Sequence, residues 1–200
     1  YGYLAVEGGF DLKSFHNSIS TLTRAGIGPN EGKKINIKDK IYYKKDCTNQ
    51  NNLIEMPSYS EKNIIRVLKG PQYDFFSEDS QKKFFSTLYK ITNLTDRMGM
   101  RLEGEFLKNN VSTNIRSEGI TKGAIQVPAD GFPIILLTDH PTIGGYPKIA
   151  NVISADYDLL VQKKPSMSIS FKLVEIFEAE SAFQSSEKEI DKMLSKIKKV

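Results

Sequence analysis

GAIQVPADGFPIILLTDHPTIGGYPKI, the stretch from Gly123 to Ile149, carries the densest structural information in the chain. Two apolar runs, Ala124 to Val127 and Ile134 to Leu137, flank a Pro/Asp/Gly turn from Pro128 to Pro133. Short apolar runs on either side of such a turn predict a β-hairpin. A polar, glycine-rich segment follows at once, so the hairpin feeds a loop that can approach a ligand closely.

Working outward, the chain reads as many short strands with few helices. Tyr1 to Val6 predicts a strand, ended by Gly8 and Gly9. Ser14 to Ala25 is polar and predicts a loop with short helical turns, and Lys34 to Lys38 alternates like a short strand. Residues 44–61 are rich in Asn, Lys and Ser without periodicity, which predicts a linker. Asn63 to Leu68 predicts a strand broken by Gly70-Pro71. Ser77 can cap a helix from Glu78 to Tyr89, with Phe84, Phe85 and Leu88 facing the core. Further strands are expected at Tyr89 to Thr92, Arg101 to Glu103, Ala124 to Val127, Ile134 to Leu137, Ala150 to Ile153 (then a short helix) and Ser168 to Val174. Phe177, Phe183, Ile190, Met193, Leu194 and Ile197 approximate a 3.6-residue period and predict a helix from Ile176 to Lys199. The pattern points to a mainly β, barrel-like fold.

Four further motifs stand in order around the central stretch: YLAVEGGFD (Tyr3 to Asp11), STLTRAGIG (Ser20 to Gly28), RVLKGPQ (Arg66 to Gln72) and DRMGMRLEG (Asp96 to Gly104). Together with Gly123 to Ile149 they resemble the biotin-dependent carboxyltransferase family. That family includes allophanate hydrolase subunit 2, the C subunit of 5-oxoprolinase, the carboxyltransferase part of urea amidolyase, and Kip-type antagonists. The resemblance implies a pair of cyclophilin-like β-barrels, of which this chain holds the end of the first and all of the second, plus a C-terminal helix. On that basis residues 1–45 are the remainder of the first lobe, 46–62 a linker, 63–174 the second lobe and 175–200 the C-terminal helix. Members usually carry a further stretch before this point, so a fragment, a split subunit or a processed chain is expected.

Bulk properties narrow the class. The 200 residues carry a net charge of +4 with a pI near 8.9. Six lysines lie between Lys33 and Lys45 and five between Lys188 and Lys199. Exposed aromatics do not interleave with them, so solvated lysines are expected rather than a nucleic-acid surface. The single cysteine, Cys47, allows neither an internal disulfide nor a Cys-rich zinc site. No signal peptide or membrane span is legible, and a cytoplasmic location is expected.

The candidate site residues follow from side-chain chemistry. Asp139-His-Pro-Thr-Ile-Gly-Gly-Tyr-Pro-Lys148 is the leading segment. Asp139 can act as a base or orient a lysine, Lys148 can neutralise a carboxylate or lose its proton when desolvated, and Tyr146 can donate to a developing oxyanion. Thr142, Gly144 and Gly145 can contact substrate, the glycines through positive φ and exposed N–H groups. The competing account is a structural turn closed by an Asp139–Lys148 ion pair. Arg97 and Arg101, four apart, share a face if extended and would suit a carboxylate or carbamate; the alternative is ion pairing with Asp96 and Glu103. Gln126 faces opposite to Ile125 and Val127, and its amide can bond a ureido or amide group; otherwise it faces solvent. Gln72 is a second polar residue of this kind. The only histidines, His16 and His140, form no metal-binding or triad spacing, so no metal is predicted. Pro141 stands where relatives commonly carry Gln or another polar residue.

The resemblance then implies a subunit of an ATP-dependent 5-oxoprolinase or a biotin-dependent carboxyltransferase, acting on a small cyclic amide or urea-like substrate. A Kip-type partner protein, similar to the B subunit of 5-oxoprolinase, is implied. ATP would act through the complex, since no phosphate-binding glycine motif is present; biotin is a possible cofactor. A non-catalytic Kip-type regulator or an inactive fragment are the competing readings.

Overall fold

The computed structural model describes residues 3–44, 52–53, 63–196 and 198–199. The backbone divides into two compact units, one of Tyr1–Ile54 with Ile197–Val200 and one of Glu55–Lys196. Most of the expected 46–62 linker lies outside the described residues.

The first unit is built from turns and isolated bridges, such as Phe10 with Tyr43 and Leu22 with Ile27. Its ribbon joins β1 (Asn52–Leu53) to β11 (Lys198–Lys199). Two sequence expectations fail here. Residues 3–6 are irregular, with Tyr3 and Leu4 exposed, because no described strand lies beside them to satisfy an extended backbone. Lys34 to Lys38 is also not a strand. Asn36 N–H donates to the Asp39 carboxylate at 2.7 Å and Asp39 N–H to the Asn36 carbonyl at 3.1 Å, so a local turn wins over the alternating pattern.

The second unit is a closed seven-stranded barrel. Its strands are β2 (Ile64–Lys69), β3 (Tyr89–Thr95), β4 (Gly99–Glu103), β6 (Ala124–Gln126), β7 (Ile134–Leu136), β9 (Lys148–Val152) and β10 (Ser168–Leu173). Around the wall the order is β10-β2-β9-β6-β7-β4-β3, and only β10 and β2 run parallel. Outside this wall a two-stranded ribbon pairs β5 (Glu118–Gly119) with β8 (Ile143–Gly144). The predicted β6–β7 hairpin forms, with Ile125 opposite Ile135.

Alternate residues of each strand fill the barrel. Ile65 and Val67, Tyr89 and Ile91, Met100 and Leu102, Ile125, Ile135, Ile169 and Phe171 are all buried in one cluster. Helix α1 (Glu78–Ser86) packs against β10. Ser77 caps it by accepting from Ser80 N–H at 3.1 Å, and Phe84 stacks on Phe171 with centroids 4.6 Å apart. The helix stops before Leu88, which is exposed rather than in the core, because Tyr89 already belongs to the barrel wall.

Helix α2 (Ser154–Val161) is pinned to β2 by a partly buried ion pair. The Asp156 carboxylate accepts from Arg66 Nε at 3.0 Å, Arg66 Nη2 at 2.6 Å and the Arg66 backbone N–H at 2.8 Å. That bidentate contact raises the Arg66 pKa further, against the opposing effect of burial. Helix α3 spans Ile176–Leu194, shorter than the predicted stretch to Lys199, because Lys198 and Lys199 enter the β1–β11 ribbon. Its expected apolar stripe is only partly covered: Phe177, Phe183, Ile190 and Leu194 remain exposed. No helix among the described residues is long and apolar enough to cross a membrane.

Candidate functional site

Lys148 opens β9, and a bulge decides where it points. Across the β6–β9 ladder Ala150 lies opposite Ile125, yet Lys148 lies opposite Gln126, so Ile149 is an extra residue on β9. Strict alternation would put Lys148 on the face of Ala150, toward the packed interior. The bulge turns it to the other face, beside Gln126. Ala124 shares that outer face, where Ile120, Ala124 and Leu136 form a second, small apolar cluster.

The RVLKGPQ segment fixes Lys148 from behind. Lys148 N–H donates to Gln72 Oε1 at 3.2 Å, and Gln72 N–H donates to the Lys148 carbonyl at 3.2 Å. A Cβ on Gly70 would collide with that carbonyl, so only glycine lets the end of β2 lie against β9. The lysine ammonium then reaches forward to Glu118 Oε1, which also accepts from Gln72 Nε2 at 2.7 Å. Hydrogen bonds from Lys148 and Gln72 hold the Glu118 carboxyl below the usual carboxylate range, against a small opposing effect of burial and with the lysine charge assisting. The two partners are unequal: the Lys148 side chain is 6% exposed and that of Glu118 42%.

Gln126 completes the cluster. It is buried rather than solvent-facing, and its Nε2 has no hydrogen-bond partner. The β5–β8 ribbon lies over it: Gly144 pairs with Glu118, and a Cβ on Gly144 would stand 2.8 Å from Gln126 Nε2. The expected positive φ at Gly144 and Gly145 does not occur. Their lack of a side chain serves close approach instead; a Cβ on Gly145 would lie 3.0 Å from the Ile115 carbonyl.

The other predicted residues form separate pairs. Asp139 accepts from Arg97 Nε at 2.6 Å and Nη2 at 3.0 Å. The Asp139–Lys148 pair of the competing account does not form; the pairs are Asp139–Arg97 and Lys148–Glu118. Hydrogen bonds from Arg97 hold the Asp139 carboxyl below its ordinary value despite partial burial, with the guanidinium charge assisting, so it is poorly suited to take a proton as it stands. Arg101 pairs with Asp130 rather than with Asp96 or Glu103. Asp96 Oδ1 instead accepts from the backbone of Met98 at 2.8 Å and Gly99 at 3.1 Å. Arg97 sits in that turn, before β4 begins, so the extended geometry assumed for an Arg97–Arg101 pair does not hold. Thr142 and Tyr146 are exposed, the Thr142 carbonyl accepting from Ile120 N–H at 3.1 Å. His140 Nδ1 lies 2.7 Å from the Pro141 carbonyl.

The structure thus gathers Lys148, Gln126, Gln72 and Gly144 and adds Glu118, which nothing in the sequence singled out. Among the described residues no group of three or more His, Cys, Asp or Glu is placed to hold a metal ion. Chemically, the cluster offers one buried cation, one unused amide donor and a half-exposed carboxylate.

Comparison with known proteins places the chain in a family. The C subunit of 5-oxoprolinase from Haemophilus influenzae (strain ATCC 51907 / DSM 11121 / KW20 / Rd) is 36% identical over 193 residues, which cover 96% of this chain and 62% of that protein. The C subunit of 5-oxoprolinase from Escherichia coli (strain K12) is 34% identical over 191 residues, with coverage of 96% and 62%. The chain therefore spans 62% of the length of these curated relatives. The crystal structure of the K. lactis urea amidolyase matches the fold with a TM-score of 0.78 at 24% identity, over 93% of this chain and 13% of that one. The model of the carboxyltransferase domain, subdomain A and B, matches residues 1–173, and the chain belongs to that family.

Proposed function

We propose that the chain is a subunit of a cytoplasmic, ATP-dependent 5-oxoprolinase-type complex that opens a small cyclic amide. The observation that carries the reading is the convergence of a buried Lys148 ammonium with the unpaired Gln126 amide on one outer wall of the barrel. A lactam acid has matching groups: a carboxylate for the lysine and an amide carbonyl for the glutamine donor. Relatives named as the C subunit of 5-oxoprolinase, matched over nearly the whole of this chain, support the same substrate class. ATP would be held by partner subunits, among them a Kip-type protein, since this sequence has no phosphate-binding glycine motif.

Carboxyl transfer from biotin is the runner-up. Gln126 Nε2 fits a ureido carbonyl as well as a lactam carbonyl, so the residues present could hold the biotin head at Gln126 and Lys148. Biotin bound there would supply a transferable carboxyl group. Asp139, Arg97, Tyr146, Arg101, Thr142 and Gly145 take supporting roles in either reading.

The test is a coupled assay for glutamate release from 5-oxoproline and ATP, using this chain mixed with its Kip-type partner and the third oxoprolinase subunit. Activity that disappears in Lys148→Met supports the proposal. A folded complex with no turnover refutes it and favours a non-catalytic regulator.

A further inference from the structure

Glu118 is an unusual partner for Lys148. The lysine is almost fully enclosed, whereas its counter-ion is nearly half exposed and stands on a short ribbon of two residue pairs, flanked by backbone hydrogen bonds from Ile120 N–H to the Thr142 carbonyl and from Ile115 N–H to the Gly145 carbonyl. Two of the site's three side-chain donors, Lys148 Nζ and Gln72 Nε2, converge on the same oxygen, Glu118 Oε1. The third donor, Gln126 Nε2, is enclosed under the same ribbon beside Gly144 and donates to nothing. An enclosed amide N–H without an acceptor is unfavourable, so its persistence calls for an acceptor that arrives from outside.

From this geometry we infer that Glu118 is an internal place-holder for a ligand carboxylate. Resting on the function proposed above, the inference says how that substrate class is seated. The carboxylate of a small cyclic-amide acid takes the position of Glu118 Oε1 against Lys148 and Gln72. The ribbon lifts, and the ligand's amide carbonyl accepts from Gln126 Nε2. Glu118 returns to water, where its exposure already leaves it partly solvated, so the exchange trades one carboxylate for another at a fixed buried cation. No bond is made or broken in this step. The apo protein thereby avoids leaving a buried ammonium uncompensated. A neutral lactam cannot displace Glu118, which makes the latch a filter for acids.

The test is direct binding to the full 200-residue chain, followed by NMR, with 5-oxoproline and its decarboxylated analogue 2-pyrrolidinone as probes. Glu118→Gln removes the competing charge while keeping the shape. It should bind 5-oxoproline about tenfold more tightly than the wild type, the scale of one charge-assisted hydrogen bond, and leave 2-pyrrolidinone unchanged. In the wild type, saturating 5-oxoproline should bring the Glu118 carboxyl resonance back to an ordinary titration, a change that a purely structural Glu118 would not show. This second readout serves equally if Glu118→Gln fails to fold. Equal affinity in both proteins, an equal gain for the neutral lactam, an unmoved Glu118 titration, or no binding of 5-oxoproline each overturn the latch. Binding with the expected signature but no turnover in the reconstituted complex leaves the latch standing and removes the oxoprolinase reading.

Discussion

Removing either member of the Lys148–Glu118 pair should have very different consequences for stability. Glu118→Ala leaves the ammonium of a side chain that is 6% exposed without its carboxylate. Deleting one partner of a buried ion pair costs about 3–5 kcal/mol because an uncompensated charge stays inside. Glu118 is 42% exposed, so water screens part of the pair, and the expected loss falls to about 2–3 kcal/mol. Lys148→Met leaves Glu118 instead, which can turn to solvent and still accept from Gln72. The thioether side chain fills the space of the lysine stem, so this variant should lose less than about 1 kcal/mol. For a chain of this size about 1 kcal/mol corresponds to 2–4 °C in Tm. Thermal unfolding at neutral pH should therefore show a drop of about 4–12 °C for Glu118→Ala and under about 4 °C for Lys148→Met. Equal losses, or a larger loss for Lys148→Met, would refute the assignment of Lys148 as the buried partner held by a displaceable one.

Three other outcomes follow from the same geometry. Asp156→Ala removes the acceptor of three Arg66 N–H contacts at the β2–α2 junction; with the Arg66 side chain 32% exposed, solvent screening reduces the expected cost in urea denaturation to about 1–2 kcal/mol, whereas Asp158→Ala on the exposed side of α2 should change stability by less than about 0.5 kcal/mol. Glu118 and Asp139 both have carboxyls depressed in the folded state. Each therefore contributes stability that is fully present above its unfolded value near 4.5 or 3.8 and is lost as pH falls through the lower folded value. Arg97→Ala should return the Asp139 carboxyl toward its ordinary titration, read by carbon NMR, and flatten that part of the acid limb. Gly144→Ala should push the ribbon away from Gln126 by a few tenths of an ångström, because a Cβ there meets Nε2 at 2.8 Å; the measurement is hydrogen exchange, which should rise at the Ile120 amide that bonds the Thr142 carbonyl.

What the sequence disclosed depended on whether the signal was local. The β6–β7 hairpin was legible because its turn and both apolar runs are contiguous, and α1 because Ser77 and the acidic first turn sit side by side. Lys34 to Lys38 misled for the complementary reason. Alternation states only that a strand would have two faces, and with Ile35 and Ile37 exposed and Asn36 bonded to Asp39 there was no face to bury. The stripe on α3 has the helical period, yet a period does not say how much of it a neighbour covers.

The site shows the sharper limit. Lys148 was legible as a candidate from its loop, but its orientation was not, because alternation along β9 assigns it to the interior and one extra residue, Ile149, reverses that assignment. Glu118 lies between Ser117 and Gly119 in a stretch without periodicity, and its role exists only because β5 pairs with β8 and carries it over Lys148. The same pairing explains why Asp139 attracted attention in its place: it stands in the same glycine-rich loop, in reach of a lysine by sequence, but Arg97 at the β3–β4 turn claims both its oxygens. A buried cation must find an anion, and the fold supplied one from a segment where the sequence carries no pattern. That the anion supplied is the more exposed member of the pair, beside an amide donor with nothing to donate to, is what makes the site a seat for an incoming carboxylate rather than a finished structural ion pair.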